Sequence, residues 1–382
     1  MENRPQAIIL STGLETRFRP LSLSHPKILA PICNSSILNR LLNQLQYAGF
    51  EGADLAMRVL PNSIRELLLN ASPPGFTINL KIIPEEIDGT VNVVRHVMEK
   101  QLNSIMVIYG DSFLSLDFTS LLHFHDKVRE HKGVGTIVYT KPDDLLKTSE
   151  NGRTYHGIMS IDNSGRITEF IEKPLLSSIR PGFDLANAAV FILERKIFED
   201  ETLKKIKDFS RELFPQIVNN DLYCIYGYGI GSGYRFDIGT LERLYEANIK
   251  VIRGEIKAVI PGKEEHPGIW IGKNVRYHFN CIKPPVVIGD DVYIGKNASV
   301  GPDVIIAKGC QIGNEAVIHE AVIMEDCILS PGINISKCIL GPNSQVGENI
   351  NLSGFTVLGA YSIINGNKEK HSIKKGDNYV WE

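Results

Sequence analysis

Long hydrophobic runs and an excess of one kind of charge are both missing from this 382-residue chain. Its 41 Lys and Arg residues nearly balance its 44 Asp and Glu residues, and the net charge of −3 provides no bulk field for nucleic acid or an anionic membrane. The apolar run near the start, residues 7–10, is too short for a signal peptide, and no stretch approaches a membrane span. We therefore expect a cytoplasmic protein with neither a nucleic-acid partner nor a membrane partner.

Cysteines at metal-binding or redox spacing are missing as well. The six cysteines form no C-x-x-C pair and match none of the usual zinc spacings. They are Cys33, Cys224, Cys281, Cys310, Cys327 and Cys338. This pattern argues against a zinc knuckle and a redox dithiol, and small buried hydrophobic residues are the better interpretation.

The chain is long enough for two or three domains, and its 43% of hydrophobic residues can fill sizeable cores. The periodicity of the sequence changes within residues 254–267, a charged stretch that contains Pro and Gly. We predict one domain over residues 1–252, a linker over 253–267, a repeat domain over 268–366 and a polar tail over 367–382.

The first domain shows the alternation of strands and helices that is typical of an α/β sheet. The predicted strands are residues 7–10, 104–111, 135–140 and 189–193. Residues 37–45 form a predicted helix, because serines precede this apolar pattern and a glycine follows it. We expect a Rossmann-like, mostly parallel sheet. Ligands bind such sheets at the carboxyl ends of the strands, which is where Asp111 stands.

Aliphatic residues recur every six positions in the second domain. The series is Ile282, Ile288, Ile294, Val300, Ile306, Ile312 and Ile318, and after an irregular stretch Leu340, Val346, Leu352, Leu358 and Ile364. This period predicts a parallel β-helix whose aliphatic side chains fill a triangular core, and known hexapeptide proteins favour a left-handed sense. A β-sandwich fits less well, because its strands alternate at period two and its turns come about every 8 to 12 residues.

Three cations, Arg17, Arg19 and Lys27, stand within eleven residues of one another after the first predicted strand. Loop amides and such side chains can hold phosphate oxygens, Arg bidentately and Lys as a point charge. A solvated surface is the alternative interpretation. The position at the end of a strand favours an anion site.

The segments LSTGLETRFRPL and HPKILAP, within residues 10–31, resemble the signature of the sugar-1-phosphate nucleotidyltransferases. That family usually has LAGGxGTRxxPLT followed by PKxLxP. Segments similar to its base-binding, metal, sugar-phosphate, sugar and second metal motifs follow in the family's order. They are residues 83–90, 109–118, 170–174, 187–193 and 236–248. Six motifs in order over some 240 residues make the resemblance specific.

The resemblance implies a role for each matched residue. Asp111 and Asp237 would hold one Mg²⁺, which favours oxygen ligands. Arg17 would contact the triphosphate, and Lys27 would contact phosphates in the crevice. Lys173 would hold the phosphate of the sugar 1-phosphate. These five residues are the expected catalytic residues.

The resemblance also implies two sets of substrate-binding residues. The nucleotide set is Leu10, Ser11, Thr12, Gly13, Arg17, Glu86, Gly89 and Thr90. The sugar-phosphate set is Gly157, Glu172, Lys173 and Asn187. In the first set, Gly89 would let the backbone approach the base. In the second, Glu172 and Asn187 would hydrogen-bond sugar hydroxyls.

Each of these assignments has a purely structural alternative. Asp111 could be a helix N-cap, and Asp237 could form an Asx-turn. Glu172 and Lys173 could be an exposed ion pair, and Asn187 could be a core amide with its hydrogen bonds satisfied.

The implied reaction is an in-line displacement. A phosphate oxygen of a sugar 1-phosphate, or of a sugar-like cyclitol phosphate, attacks the α-phosphorus of a nucleoside triphosphate, and pyrophosphate leaves. The attacking phosphate is already anionic, so positioning and charge neutralisation by Mg²⁺, Lys and Arg suffice without a protein nucleophile. The form of the base-binding motif and the single β-helix tail resemble those of guanylyl or adenylyl transferases more than those of thymidylyl transferases, and of these we favour guanylyl transfer. The flat faces of the β-helix predict a homo-oligomer.

Two positions of the phosphate loop depart from the family pattern. Thr12 and Glu15 replace signature glycines, and a side chain at 12 or a carboxylate at 15 could obstruct a triphosphate. Ala189 is a milder departure, since it replaces the glycine of N-A-G. These changes leave an alternative, a catalytically silent homologue with a regulatory or scaffolding role. Retention of both metal carboxylates favours the enzyme.

Overall fold

The computed structural model describes residues 4–13, 15–58, 62–141, 151–219, 223–365 and 372–373. The contacts divide the chain into two compact units. The first unit comprises residues 1–13 and 41–236, and the second comprises residues 14–40 and 237–382. Among the described helices, none combines the length and the apolar character that crossing a membrane requires.

Strands and α-helices alternate along the described chain up to residue 252, and strands follow from residue 263. The strands before residue 238 are β1 (Gln6–Ser11), β2 (Pro31–Ile32), β3 (Ser35–Ser36), β4 (Gly52–Met57), β5 (Thr77–Ile82), β6 (Ser104–Tyr109), β7 (Ser112–Ser115), β8 (Gly135–Thr140), β9 (Gly157–Ile161), β10 (Ile167–Glu172), β11 (Leu185–Glu194), β12 (Ile225–Gly229) and β13 (Tyr234–Asp237). The α-helices are α1 (Ile37–Tyr47), α2 (Asn62–Asn70), α3 (Thr90–Val97), α4 (Phe118–Glu130), α5 (Lys196–Glu199), α6 (Phe214–Val218) and α7 (Leu241–Ile252). The later strands are β14 (Lys263–His266), β15 (Ile269–Ile271), β16 (Val286–Ile288), β17 (Tyr293–Ile294), β18 (Ser299–Val300), β19 (Val304–Ile306), β20 (Gln311–Ile312), β21 (Val317–Ile323), β22 (Ile328–Leu329), β23 (Asn334–Leu340), β24 (Gln345–Val346), β25 (Asn351–Leu352), β26 (Thr356–Leu358), β27 (Ile363–Ile364) and β28 (Ser372–Ile373).

The first unit is built on a mixed sheet with the strand order β10-β9-β11-β6-β1-β4-β5, and β8 lies between β11 and β12. Strands β6, β1, β4 and β5 run parallel to one another, as β12 and β8 do. The predicted α/β class and mostly parallel sheet are confirmed. Strand β11 is antiparallel to β6 and β8, which the apolar run at its centre did not indicate.

Helix α1 shows why the sequence forms a helix here. The Ser36 hydroxyl accepts the backbone N–H of Asn39 at 3.1 Å and so caps the amino-terminal end. Beyond the carboxyl-terminal end, Gly49 adopts a φ of 81°, and its N–H donates to the carbonyl of Gln46. The predicted cap and the predicted glycine stop are both confirmed.

The second unit contains a parallel β-helix. Neighbouring strands on one face are offset by 18 residues between Val286 and Val304 and by 17 between Val304 and Ala321. Each coil is therefore three units of about six residues. The predicted aliphatic positions line its core, with Ile306, Ile312 and Ile318 each 0% exposed. The predicted left-handed sense stays a prediction.

The repeat is irregular in this stretch because two of the flat sides of the β-helix contain five residues instead of six. The core series continues from Ile318 to Ile323 and from Ile335 to Leu340, each a step of five residues. Between these steps Leu329 keeps the six-residue spacing. The structure absorbs each missing residue at a corner within one of the longer strands, β21 and β23, so the core is continuous where the sequence pattern was interrupted.

The contacts group some segments differently from the predicted sequential domains, whose bounds stay a prediction. Residues 14–40 and α7 group with the β-helix. The buried side chain of Asn248 links these segments, since its Oδ1 accepts the N–H of Cys33 at 2.7 Å and its Nδ2 donates to the carbonyl of Pro31. Of the predicted polar tail, 367–382, only residues 372–373 are among the described residues.

Ala189 carries backbone strain that glycine would relieve. It has a φ of 60° at a register shift in β11, a conformation that costs an L-residue about 1–2 kcal/mol. We expect Ala189→Gly to raise the free energy of unfolding by about 0.5–1 kcal/mol in urea titrations, after the greater flexibility of the unfolded chain is subtracted. Ala186→Gly, in the same strand, is the matched control and should destabilise the protein. A loss of stability in Ala189→Gly would contradict the prediction.

Candidate active site

The predicted nucleotide segment follows the end of β1 in the first unit. Leu10 is buried, Ser11 and Thr12 are half-buried, and Gly13 is exposed. A Cβ built at Gly13 meets no atom within 4 Å. Steric crowding within the described residues therefore does not explain this glycine.

Asp111 lies between two strands and not at the start of a helix. It follows β6 by two residues and directly precedes β7. The helix that comes next, α4, is capped by Asp117, whose carboxylate accepts the N–H of Ser120 at 3.0 Å. The alternative interpretation of Asp111 as a helix N-cap is therefore excluded.

Three of the predicted segments converge on the phenol of Tyr109. Burial raises the pKa of Tyr109, and a hydrogen bond with the Thr90 side chain opposes this shift. The carboxylates of Asp208, Glu172 and Asp111 lie close enough to raise the pKa further. Thr90, Asp111 and Glu172 come from the base-binding, metal and sugar-phosphate motifs, so the fold brings these motifs together within the first unit.

Asp208 is a site residue that the sequence reasoning missed. Its Oδ1 accepts the N–H groups of Ser210 and Arg211, at 3.0 and 2.8 Å, and caps the short helical turn that begins there. Its Oδ2 lies 3.4 Å from the Thr90 hydroxyl, which also accepts the N–H of Phe209. An N-cap pattern in the sequence could have identified the cap, but not its proximity to Thr90.

Gly89 is required by packing within the first unit, and its expected approach to a nucleotide base stays a prediction. Its φ is 82°, and a Cβ there would lie 2.4 Å from the carbonyl oxygen of Lys207. The same carbonyl accepts the N–H of Val91 at 2.8 Å. The close approach of the Lys207 backbone therefore accounts for this glycine, whereas Glu86, in the same predicted segment, is exposed.

Glu172 and Lys173 are adjacent and differ in exposure. Lys173 Nζ lies 3.9 Å from Glu172 Oε1, with side-chain exposures of 51% and 19%. Lys173 has a φ of 48°, and its backbone is held by the carbonyl of His156 and by the guanidinium of Arg153. Burial raises the pKa of Glu172, and the Lys173 ammonium opposes this shift. Glu172 and Lys173 therefore form the ion pair that the structural alternative expected, but the Glu172 carboxylate is mostly buried.

The other two residues of the predicted sugar-phosphate set lie on β9 and β11. A Cβ at Gly157 would lie 2.7 Å from Glu172 Oε2, so a larger residue would displace that carboxylate. Asn187 is buried, and its Oδ1 accepts the N–H of Ala189 at 2.9 Å. The alternative interpretation holds for this oxygen, and the bond does not involve the Nδ2 donor of Asn187.

Glu15 and Lys27 are joined inside the second unit. Lys27 is 8% exposed, and its backbone N–H donates to Glu15 Oε2 at 2.8 Å. Glu15 has a φ of 50°, which suits the glycine that the family pattern places there. The carboxylate that departs from the pattern thus forms a hydrogen bond within the loop, an outcome that the sequence reasoning did not consider.

Arg17 and Asp237 both approach Gly239 in the second unit. A Cβ at Gly239 would lie 2.9 Å from Asp237 Oδ2 and 3.7 Å from an Nη atom of Arg17. Thr240, and not Asp237, caps α7 by accepting the N–H of Arg243. A residue larger than glycine at 239 would therefore displace the Asp237 carboxylate.

The donor chemistry of the predicted metal ligands fits Mg²⁺. Mg²⁺ is bound through one or two carboxylates, with phosphate and water oxygens completing its shell. Asp111 and Asp237 would supply two carboxylates of this kind. No cluster of three or more His, Cys, Asp or Glu side chains suited to a metal occurs in the described ranges.

Comparison with known proteins gives two family matches. A model described as "Nucleotidyl transferase" matches residues 6–254, and one described as "GMPPB C-terminal domain" matches residues 282–368. The second match covers most of the β-helix.

Three curated relatives are similar over most of the chain. A UTP–glucose-1-phosphate uridylyltransferase of Synechocystis is 26% identical, covering 88% of this chain and 87% of the relative. A mannose-1-phosphate guanylyltransferase catalytic subunit beta of Drosophila pseudoobscura is 28% identical, covering 95% and 90%. A mannose-1-phosphate guanylyltransferase of Mycobacterium tuberculosis is 26% identical, covering 77% and 76%. Because its family model spans well over half of the chain, this protein belongs to the nucleotidyl transferase family, as the resemblance of its motifs predicted.

Proposed function

We propose that this protein joins a nucleoside triphosphate to a sugar 1-phosphate, releasing pyrophosphate and an NDP-sugar. The observation that carries the proposal is the convergence of Thr90, Asp111 and Glu172 around Tyr109. These residues come from motifs that bind the base, the metal and the sugar phosphate in the family that the sequence resembles. Relatives named for uridylyl and guanylyl transfer to sugar 1-phosphates support the same reaction.

Each residue has a binding or orienting role in this proposal. Arg17 and Lys27 bind the triphosphate, and Lys173 binds the phosphate of the sugar 1-phosphate. The Glu172 carboxylate accepts hydrogen bonds from sugar hydroxyls, and the Nδ2 group of Asn187 donates to a sugar hydroxyl. Asp111 and Asp237 would hold Mg²⁺, which when bound neutralises phosphate charge.

The proposed reaction needs no protein nucleophile. An oxygen of the sugar phosphate forms a bond to the α-phosphorus, and the bond between that phosphorus and the β-phosphate oxygen breaks as pyrophosphate leaves. The attacking oxygen is already anionic, so no proton must be removed from it. The protein contributes alignment of the two anions and cationic side chains that offset their repulsion.

A matrix of substrates tests the proposal. GTP, UTP, ATP and dTTP are each combined with mannose 1-phosphate, glucose 1-phosphate and cyclitol phosphates, with Mg²⁺, and pyrophosphate is measured. We expect release with one nucleotide preferred, and we favour GTP because two of the three relatives are guanylyltransferases. Silence across the matrix would overturn the proposal in favour of a silent homologue. Recovery of turnover in a Thr12→Gly, Glu15→Gly variant would then show that the loop alone is disabled.

The raised pKa of Glu172 predicts the pH dependence of sugar-phosphate binding. Burial favours the protonated form of this carboxyl, so it loses its charge at a higher pH than an ordinary glutamate. We expect KM for the sugar phosphate to rise on acidification, beginning above the usual glutamate pKa of 4.5. The free energy of unfolding also rises on acidification, because the folded state binds this proton more tightly than the unfolded state.

Steady-state kinetics across about pH 5 to 8 checks this prediction. Glu172→Gln should raise KM for the sugar phosphate and remove its acid limb, while leaving KM for the nucleotide within about twofold. Glu169→Gln, on the same strand, is the matched control. An acid limb that persists unchanged in Glu172→Gln would assign the titration to another group.

We also propose that the chain acts as a homo-oligomer formed through the β-helix. The outward side chains along one of its faces form a ladder without charge: Tyr293, Gln311, Ile328, Gln345 and Ile363. Three of them are large apolar groups that are 41% to 53% exposed. Light scattering should give a mass above that of one 42.5 kDa chain. A cytoplasmic location stays a prediction.

A further inference from the structure

One face of the β-helix is apolar on its outer side. Outward side chains at this face form a ladder in which Val287 pairs with Ile305, Ile305 with Val322, and Val322 with Ile339. All four are at most 1% exposed. Outward residues of a solvated coil are exposed, so this face of the β-helix is covered.

Residues 14–40 and α7 contact the β-helix within the second unit. The Nδ2 group of Asn34 donates to the carbonyl of Ile306 at 2.8 Å, one residue beyond the ladder position Ile305. The hydroxyl of Tyr245, on α7, donates to the carbonyl of Glu320 at 3.2 Å. Both contacts end on backbone carbonyls of the coils.

The same segment reaches two further coils. We name residues 15–34 the signature loop. A Cβ at Gly359 would lie 3.2 Å from the ring of Pro20. Burial lowers the pKa of His25, and the Glu325 carboxylate opposes this shift, so these two groups are neighbours. The signature loop therefore contacts the β-helix at two separate coils, and the charge of Glu325 on a third coil acts on His25.

Arg17 and Lys27 both lie within the signature loop, and neither is on the β-helix. We infer that the β-helix positions the signature loop for phosphate binding, with Asn34 as a positioning residue. The catalytic consequence rests on the proposed function, whereas the structural consequence does not. Asn34 adopts a φ of 62°, so its backbone ends the loop in a tight turn while its side chain anchors that turn to the coil.

Two glycine substitutions separate the anchor from backbone effects. Asn34→Gly removes the hydrogen bond to Ile306 and tolerates the positive φ. Asn274→Gly is the matched control, because Asn274 has a φ of 56° and its Nδ2 donates to Asp291 within the β-helix at 3.0 Å. In the full chain with Mg²⁺, we expect Asn34→Gly to raise KM for the nucleotide roughly three- to tenfold. The control should stay within about twofold.

Hydrogen exchange gives a readout that does not need turnover. Peptides of the signature loop should exchange faster in Asn34→Gly than in the wild type or in Asn274→Gly, while peptides of β4 and β6 should not change. Gly359→Ala, which presses on Pro20 from the other end of the loop, should also accelerate exchange there.

The outcomes distinguish the positioning role of the β-helix from the proposed transferase function. Faster loop exchange in a protein that shows no transferase activity would retain the positioning role and reject the proposed function. Equal exchange of the signature loop in Asn34→Gly and Asn274→Gly would overturn the positioning role, as would acceleration spread over the whole chain. A loss of kcat with unchanged nucleotide KM and unchanged loop exchange would also overturn it.

Discussion

Asp111→Asn is expected to lower pyrophosphate release by about three orders of magnitude, equivalent to about 4 kcal/mol of transition-state stabilisation. The amide keeps the shape of the side chain but removes the negative charge that a divalent cation requires. The Asp111, Glu172 and Asp208 carboxylates all lie close enough to Tyr109 to raise its pKa, so a lost carboxylate charge lowers the affinity of this region for any cation. The measurement is kcat/KM at saturating Mg²⁺, with the preferred substrate pair from the matrix.

Asp237→Asn should have a comparable effect, because both carboxylates belong to one proposed ion. The matched control is Asp126→Asn, an exposed carboxylate on α4 that pairs only loosely with Arg129, at 3.6 Å. It should retain full activity. If Asp111→Asn and Asp237→Asn keep more than about a tenth of the wild-type rate, the two-carboxylate magnesium site is wrong.

Arg253→Ala is expected to lower the free energy of unfolding by about 2 kcal/mol, less than for a fully buried pair because the Arg253 side chain is 46% exposed. Nε and Nη2 of Arg253 donate to the two oxygens of Asp303 at 2.9 and 2.7 Å. The Asp303 carboxylate is 7% exposed, so removing its partner leaves a buried charge without compensation. The hydrogen bonds to Asp303 also raise the pKa of Arg253.

Urea denaturation followed by circular dichroism measures this loss. The double variant Arg253→Ala, Asp303→Asn removes the orphaned charge and keeps a residue that tolerates the φ of 60° at position 303. It should therefore be more stable than Arg253→Ala alone. A single variant that matches the wild type would show that solvent screens this pair as it screens an ordinary surface pair.

The sequence predicted those features that repeat along the chain. The six-residue spacing identified core positions such as Ile288 and Ile312, and the capped pattern at α1 located a helix correctly. The sequence pattern could not be followed after Ile318 because it assumed six residues on every side of the β-helix. A side of five residues restores the series at Ile323.

Candidate site residues that belong to sequence motifs were predictable, whereas residues that reach the site only through packing were not. Asp111 and Glu172 were identified from their motifs, and the structure places both near Tyr109. Asp208 was missed because its role depends on contact with Thr90, 118 residues away in the chain. The motif gave Gly89 a role toward a ligand, which stays a prediction, but did not indicate that the Lys207 backbone also requires a glycine there.

Local order along the chain is therefore written in the sequence: the strand and helix periods, the hexapeptide core and the six motifs of the nucleotidyl transferase family. The tertiary structure alone decided which distant segments share a unit, as with Asn34 and Ile306, which are 272 residues apart. The physical reason is that periodicity and capping depend on neighbours within a few residues, whereas a hydrogen bond between remote segments leaves no local pattern. The grouping of the signature loop with the β-helix rests on contacts of this second kind.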